Sequence, residues 1–206
     1  DDLARFGFNE VDSSTVIRSD LVSTNALTAS HDIKINDIDI GASDSASAAA
    51  KAIAINAVSS STNVTASGTN LVTFSTINYT EASSVGSNIS INGNAINFSS
   101  VTNATGAITV INSASIGDIV ASTNTDGELQ LESASGADII IAQSGTLGVF
   151  NEGYVDATGS SITLASSHTF KGQILLTHTA GDVIKISGND VGELGFQAQA
   201  SSSAST

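Results

Sequence analysis

The stretch DIKINDIDIG, residues 32–41, places isoleucine at every second position on both sides of a two-residue interruption. Such alternation of apolar and polar residues is typical of a β-strand with one buried face. The interruption, Asn36-Asp37, consists of residue types that tolerate the left-handed backbone of a tight turn. The stretch therefore predicts a β-hairpin with one apolar face.

A second stretch of the same kind, NISINGNAINF, occupies residues 88–98. Residues 35–36 recur 56 positions later as 91–92, and residues 55–56 recur at the same interval as 111–112. Residues 64–67 have a counterpart 55 positions later, at 119–122. Self-similarity at a nearly constant period predicts a duplicated structural unit.

Each predicted unit continues with a helix. In the first unit, DSASAAAKAIAINAVS at 44–59 predicts a helix capped by Ser43 or Asp44. The apolar stripe that would face the sheet consists of Ala46, Ala49, Ala50, Ile53 and Ala57. In the second unit, residues 103–115 give a weaker helix signal, because Gly106 and β-branched residues interrupt it.

Strands are predicted after each helix. Residues 63–74 predict a hairpin that turns at 67–70, and residues 118–133 predict one that turns at Asp126-Gly127. A further turn at Ser135-Gly136 leads to a strand at 137–142. The expected fold class is α+β, with mostly antiparallel β-hairpins and short covering helices in a duplicated ββ-α-ββ unit.

The repeat also suggests a domain organisation. The duplicated domain is expected at 24–145, with units at 26–78 and 79–145. Residues 172–188 predict one more strand–turn–strand, and RFGFNE at 5–10 resembles ELGFQA at 193–198. We therefore expect residues 1–23 and 146–200 to form a second β-rich module from both ends, followed by a flexible tail at 201–206.

Composition and charge narrow the function classes. The 206 residues carry a net charge of −14, with 6 Lys and Arg residues against 20 Asp and Glu residues. Such a chain repels nucleic acid and anionic lipid, and it has no apolar run long enough for a membrane helix. The absence of Cys excludes disulfides and thiolate chemistry. The start, DDLARFGFNE, has no initiator methionine and no signal-peptide pattern, so we expect a fragment of a longer protein.

Three short blocks resemble the IN motif of bacterial flagellins. They read INDIDIG at 35–41, AINA at 54–57 and NVTA at 63–66, where the motif has INGvxIG, aINa and tgVtA. Residues 126–142 and 170–196 resemble later stretches of the same proteins. The motif occurs in the variable outer domains of flagellins and in hook-associated and cap proteins. Asp37 and Asn63 stand where the motif has glycine, and both residue types can adopt the left-handed backbone.

The resemblance implies a structural role. The long heptad helices through which flagellins polymerise are missing from this sequence, so the chain resembles the surface-exposed variable domain alone. The implied role is extracellular and non-enzymatic, in the filament that drives motility. The implied partners are other flagellin subunits, through core helices outside this chain, and O-linked glycans on exposed Ser or Thr. The isolated fragment is expected to be monomeric.

A hook-associated or cap protein domain, or an adhesin-like binding module, is the alternative. GVFNEGYVD at 148–156 combines aromatic residues with carboxylates. Phe150, Glu152 and Tyr154 are therefore candidate surface-binding residues, and Tyr79 is a further exposed-aromatic candidate. Ordinary core and turn residues would explain the same cluster.

Candidate catalytic residues are few. Ser167-His168 with Asp182 would resemble a hydrolase dyad, but no Gly-x-Ser-x-Gly elbow accompanies it, and adjacent Ser and His arise by chance in a Ser-rich chain. The other histidines, His31 and His178, show no zinc-type spacing. We therefore expect no enzyme activity.

Carboxylates in the turns are the candidate calcium ligands. Neither the group Asp32, Asp37 and Asp39 nor the pair Asp126 and Glu128 matches an EF-hand or nonapeptide calcium loop. Solvated turn residues are the simpler interpretation. No metal and no cofactor are expected.

Overall fold

The structure is a computed structural model, which describes residues 15–77, 79, 89–143, 152–156, 158, 161–162 and 167–197. In chain order its elements are β1 Val16–Leu21, β2 Lys34–Ile35, β3 Ile38–Asp39, α1 Ala48–Asn56, α2 Ser59–Thr62, β4 Val64–Thr76, β5 Ile89–Ile91, β6 Asn94–Ile96, α3 Ala104–Ser113, β7 Ile119–Thr123, β8 Leu129–Ser133, β9 Ile139–Gln143, β10 Glu152–Val155, β11 Ser161–Ile162, β12 Ser167–Phe170, β13 Gln173–His178, β14 Ile186–Ser187 and the 3-10 helix η1 Val191–Leu194.

The strands form three antiparallel sheets. The largest has the order β1-β13-β4-β10-β11, with β8 also paired to β4 and β7 paired to β8. A second sheet has the order β12-β9-β5-β6, and a third has the order β14-β2-β3. With few short helices against mostly antiparallel strands, the predicted α+β class is confirmed.

Both predicted hairpins at the start of the units are confirmed. Asn36 and Asp37 have φ values of 49° and 64°, and Asn92 and Gly93 have φ values of 48° and 78°. Positive φ at both central residues is the geometry of a two-residue hairpin turn that matches the twist of its strands. The alternating isoleucines around each turn are buried, as the period-two pattern predicts, except for Ile38, which is half-buried.

The predicted hairpin at 63–74 is wrong, because residues 64–76 form one continuous strand of 13 residues. Its first half pairs with β13, and its second half pairs with β8 and β10. Near the middle, a Cβ atom on Gly68 would overlap the Ser135 carbonyl oxygen. The glycine that suggested a turn therefore permits the close approach of another segment. The first unit consequently lacks the consecutive closing hairpin of the predicted ββ-α-ββ pattern.

Strand β4 runs through two hydrophobic cores. The first core includes Val22, Leu27, Ile35, Ile55, Val64, Ile174, Leu176, Ile186 and Leu194. The second core includes Val72, Phe74, Ile91, Phe98, Ile111, Leu129, Leu131, Ile141 and Phe170. Thus α1 lies on the first core and α3 on the second, with β4 shared between them.

Strands β13 and β14 hold the same places in the first core as β8 and β9 hold in the second. Ala66 of β4 pairs with Leu176, as Ala121 of β7 pairs with Leu131. The hairpins show the same correspondence, with Ile35 opposite Ile186 and Ile91 opposite Ile141. The first core is thus completed by strands more than a hundred positions further along the chain.

The segments 172–188 and 129–143 each contain two strands and a turn, but neither is a hairpin. Gly181 and Gly136 both have φ of 81° in the turns. After each turn the chain changes sheet, since β13 pairs with β1 and β4 while β14 pairs with β2. Strands β13 and β14 and the 3-10 helix η1 pack on the first core. The domain boundaries predicted from the sequence stay a prediction.

Helix α1 begins later and faces differently than predicted. Ser47, not Ser43 or Asp44, is the N-cap, and its hydroxyl accepts a hydrogen bond from the amide of Ala50 at 3.2 Å. The buried positions are Ala48, Lys51, Ala52, Ala54 and Ile55, whereas Ile53 is 68% exposed. The predicted stripe is therefore wrong, because alanine fits either face and a lysine was not expected inside.

Helix α3 is confirmed at residues 104–113, despite its weaker signal. The side chain of Asn103 caps it by accepting a hydrogen bond from Gly106 at 2.9 Å. The hairpin that follows is also confirmed, with Gly127 at φ 80° in its turn. Within the described part of the chain, no helix is long and apolar enough to span a bilayer.

Candidate functional site

The most elaborate polar constellation surrounds Lys51 on the inner face of α1. Its side chain is 0% exposed. The ammonium nitrogen donates to the carbonyl oxygen of Ser23 at 3.2 Å, to the hydroxyl of Ser23 at 3.1 Å and to the carbonyl oxygen of Glu193 at 2.6 Å. Lys51 therefore joins three segments: α1, the loop after β1 and the 3-10 helix η1. We call this group the lysine clamp: Ser23, Lys51 and Glu193.

Charge compensation in the lysine clamp is partial. Burial lowers the pKa of Lys51 to about 8, and the carboxylate of Glu193 opposes that shift. The Glu193 carboxylate accepts hydrogen bonds from the hydroxyl of Ser23 and from the side-chain amide of Asn25, and the first of these lowers its pKa most. The lysine is thus held by its hydrogen bonds more than by a direct ion pair.

A serine hydroxyl beside a desolvated lysine is also a nucleophile–base pair in some hydrolases. Here the three protons of the Lys51 ammonium all point to acceptors, and the hydroxyl of Ser23 donates to Glu193. The arrangement suits a tether between chain segments better than an acyl-transfer centre.

A second polar group lies where the two cores meet. The side-chain amide of Asn70 donates to the carbonyl oxygens of Ala137 at 3.0 Å and Phe170 at 2.8 Å. Lys171 pairs with Asp138 at 2.7 Å. Asn70 is fully buried, and its two bonds join β4 to the segment before β9 and to the last residue of β12.

Asn56 of the AINA block and its counterpart Asn112 in the second unit each hydrogen-bond to a neighbouring strand. Asn56 donates to the carbonyl oxygen of Ala66 at 2.8 Å and accepts from its amide at 2.8 Å. Asn112 makes the same two bonds with Ala121, at 3.0 and 2.8 Å. Each helix end is thereby joined to the next strand by a two-bonded amide.

The hairpin asparagines show the same correspondence. The amide of Asn36 donates to the carbonyl oxygen of Lys185 at 2.8 Å, and its side-chain oxygen accepts from the amide of Lys185 at 2.9 Å. Asn92 makes the equivalent bonds with Ile140, at 2.8 and 2.6 Å. The two segments therefore share contacts as well as sequence, while their origin by duplication stays a prediction.

The predicted surface-binding cluster is only partly described. Phe150 lies outside the described residues. Glu152 and Tyr154 belong to β10, where their backbones pair with Thr76 and Phe74 of β4, and their side chains also lie outside the description. The cluster stays a prediction.

The histidines and the dyad candidates lie in separate places. Ser167 and His168 are in β12, where the His168 ring contacts Phe170 edge-on at 4.6 Å. Asp182 lies in the turn after β13, and its amide donates to the Nδ1 atom of His178 at 3.1 Å. His31 accepts a hydrogen bond from the amide of Thr28.

Four of the five candidate calcium carboxylates face donors of the protein: Asp32, Asp37, Asp39 and Glu128. Lys34 pairs with Asp39, and Lys185 pairs with Asp37 at 2.7 Å. Asp32 accepts from Asn189, and Glu128 accepts from Asn124 at 2.7 Å. Asp126 lies in the turn of the β7–β8 hairpin, where its amide donates to the side-chain oxygen of Asn124 at 3.0 Å. Among the described residues, no group of three or more His, Asp or Glu side chains could hold a metal ion.

Two grooves lie on the described surface. One, of about 440 Å³, is lined by Arg18, Asp20, Thr69, Leu71, Thr158 and Gln173. The other, of about 420 Å³, is lined by Phe74, Ile77, Tyr79, Ala104, Asp126, Gly127, Glu128 and Leu129. The sequence predicted neither groove, because each is assembled from segments far apart in the chain, although the second contains the candidate residues Tyr79, Asp126 and Glu128.

The burial of Lys51 was also not predicted, although its position in the sequence could have indicated it. It is three positions after Ala48 and four before Ile55, on the stripe that a helix would bury. We compared the chain with protein-family models and with curated proteins, and neither comparison finds a match.

Proposed function

We propose that this chain is a surface-exposed structural domain of a bacterial flagellar filament, corresponding to the variable outer domain of a flagellin. The observation that carries the proposal is the use of the motif asparagines. Asn56, Asn92 and Asn112 each make a pair of hydrogen bonds to the backbone of a neighbouring strand, and Asn36 makes such a pair to Lys185, the residue before β14. A motif whose residues hold the fold together favours a structural role over a chemical one.

The contact between the first and the last described segments supports the same role. The amide of Asp20 donates to the carbonyl oxygen of Gly195 at 2.9 Å, and the amide of Ser23 donates to that of Glu193 at 3.2 Å. The lysine clamp ties both segments to α1. A domain whose first and last described segments lie side by side is readily carried as an outward insertion in a longer protein.

The charge of the chain suits dense display. A net charge of −14 keeps neighbouring copies on a filament soluble and apart. In this proposal the domain is extracellular and has no enzymatic role, and flagellin subunits contact one another through helices outside this chain. O-linked glycans on exposed Ser and Thr are part of the same proposal.

Peptide mapping of the full-length parent protein tests this role. The proposal expects long helices with apolar heptads on both sides of residues 1–206. A cleavable signal peptide and further β-repeats on either side would contradict it and favour a secreted adhesin. An adhesin-like binding module is the second candidate, favoured by the groove that contains Arg18.

A further inference from the structure

The groove beside Arg18 lies on the outer face of the largest sheet. Along β1, Ser19 is buried and Ile17 packs on the first core, whereas Arg18 and Asp20 are exposed. Thr69 and Leu71 of β4 and Gln173 of β13 complete the floor. The volume of about 440 Å³ falls within the range of roughly 300–1,000 Å³ that is usual for small-molecule sites.

Arg18 differs from the other basic side chains of the described chain. Lys34, Lys171 and Lys185 are paired with aspartates, and Lys51 is buried in the lysine clamp. Arg18 forms no ion pair or side-chain hydrogen bond with any residue that the structure describes. Its guanidinium therefore presents a planar set of donors at the rim of a groove in a strongly acidic protein.

The backbone below Arg18 is held by several bonds. The register of β1 against β13 shifts between Arg18 and Leu21, as in a β-bulge. The hydroxyl of Ser19 accepts from the amide of Ile174 at 2.8 Å, and the side-chain amide of Gln173 donates to the carbonyl oxygen of Ser19 at 2.9 Å. Because Ser19 is anchored inward, the residues on both sides of it are directed to the groove.

Thr158, which also lines the groove, is held by the side chain of Asp156. The side-chain oxygen of Asp156 accepts from the amide of Thr158 at 2.9 Å and from its hydroxyl at 2.7 Å. Asp156 is 8% exposed, so the group that holds Thr158 is itself buried. The groove is therefore supported at Arg18 and at Thr158, and its floor is partly apolar and partly polar.

We propose that this groove binds a saccharide that carries a carboxylate, of the uronic acid type. The guanidinium of Arg18 matches a carboxylate with two parallel hydrogen bonds. Asp20, Thr69 and Gln173 offer acceptors and donors to sugar hydroxyls, and Leu71 offers an apolar surface to the C–H face of a ring. A polyanion such as nucleic acid is disfavoured by the net charge of −14, whereas a single carboxylate needs only a local partner.

Nuclear magnetic resonance titration of the 206-residue chain with D-glucuronate tests the proposal, and D-glucose, which lacks the carboxylate, is the control ligand. We expect saturable shifts at residues 18–20, 69–71 and 173, and binding of glucose weaker by about tenfold or more. Arg18→Gln should weaken glucuronate binding by about the same factor. Arg18→Lys keeps the charge but loses the planar guanidinium, so its affinity for glucuronate should lie between those of the wild type and Arg18→Gln. Lys185→Gln removes an equal charge from the exposed hairpin region and should leave binding unchanged.

Three outcomes would overturn the proposal. They are equal binding of glucose and glucuronate, glucuronate binding that survives Arg18→Gln, and the absence of any saturable shift. Because Arg18 is exposed, its variants are expected to stay folded, which their amide spectra will check. The site does not depend on the filament role, so its failure leaves the proposed function standing.

Discussion

Lys51 is buried, unlike an ordinary surface lysine, and its pKa is lowered. Its pKa of about 8 lies below the unperturbed value of 10.5, so the folded chain loses this proton before the unfolded chain does. Between these two values the unfolded state binds more protons, and the free energy of unfolding should therefore rise with pH. Glu193 and Asp138 oppose the shift, while Lys171 adds to it. We expect a gain of about 1–3 kcal/mol between pH 8 and 10.

Urea unfolding at several pH values measures this gain. Lys51→Met keeps a chain of similar length without the titrating group, so its stability should be flat over the same window. The window stops at pH 10 because burial raises the pKa of Tyr79, whose ionisation in the unfolded chain then opposes folding. A wild-type curve parallel to that of Lys51→Met would contradict the account.

Gly68 is needed for a close approach, and not for a turn. Gly68→Ala should destabilise the protein by about 3 kcal/mol or more, because its Cβ would overlap the Ser135 carbonyl oxygen. Gly41→Ala is the matched control, since a Cβ there meets nothing within 4 Å, and its effect should be within about 1 kcal/mol. Thermal unfolding compares the two variants. Similar melting temperatures for both would show that β4 and the 135–136 turn are not in contact.

At the scale of elements, the two helix ends are joined to the following strands by the same amide bridge. Asn56→Ala and Asn112→Ala should each cost about 1–3 kcal/mol, because each leaves a strand amide and a carbonyl without a partner. Asn94→Ala is the control, since its amide bonds only within its own hairpin. Urea midpoints report all three variants, and a large loss at one helix with none at the other would contradict the correspondence.

Elements that depend on residues close together in the sequence could be predicted, whereas elements that depend on contacts between distant segments could not. The two hairpins followed from turn residues at 36–37 and 92–93 that accept positive φ. Strand β4 did not, because its partners β13 and β8 lie far along the chain and only tertiary pairing shows that Gly68 is not a turn. The buried face of α1 was mispredicted because alanine fits both sides of a helix. The burial of Lys51 was not predicted because lysine is rarely buried.

At the scale of the whole molecule, β4 couples the two cores. Val64 lies in the first core and Val72 in the second, within one unbroken strand. We therefore expect a single cooperative unfolding transition. Amide signals of Ile55 and Ile111 report the first and the second core, and their urea midpoints should coincide. Two separate midpoints would show that the cores are independent domains.

In the proposed function, this domain is displayed on a filament that is built by other parts of the parent protein. Electron microscopy of filaments from the full-length parent, and from a variant with residues 22–194 replaced by a short linker, tests it most directly. We expect filaments with an unchanged helical core in both samples, and loss of the outer density from the variant. Failure of the variant to assemble, or loss of density from the core, would contradict the account.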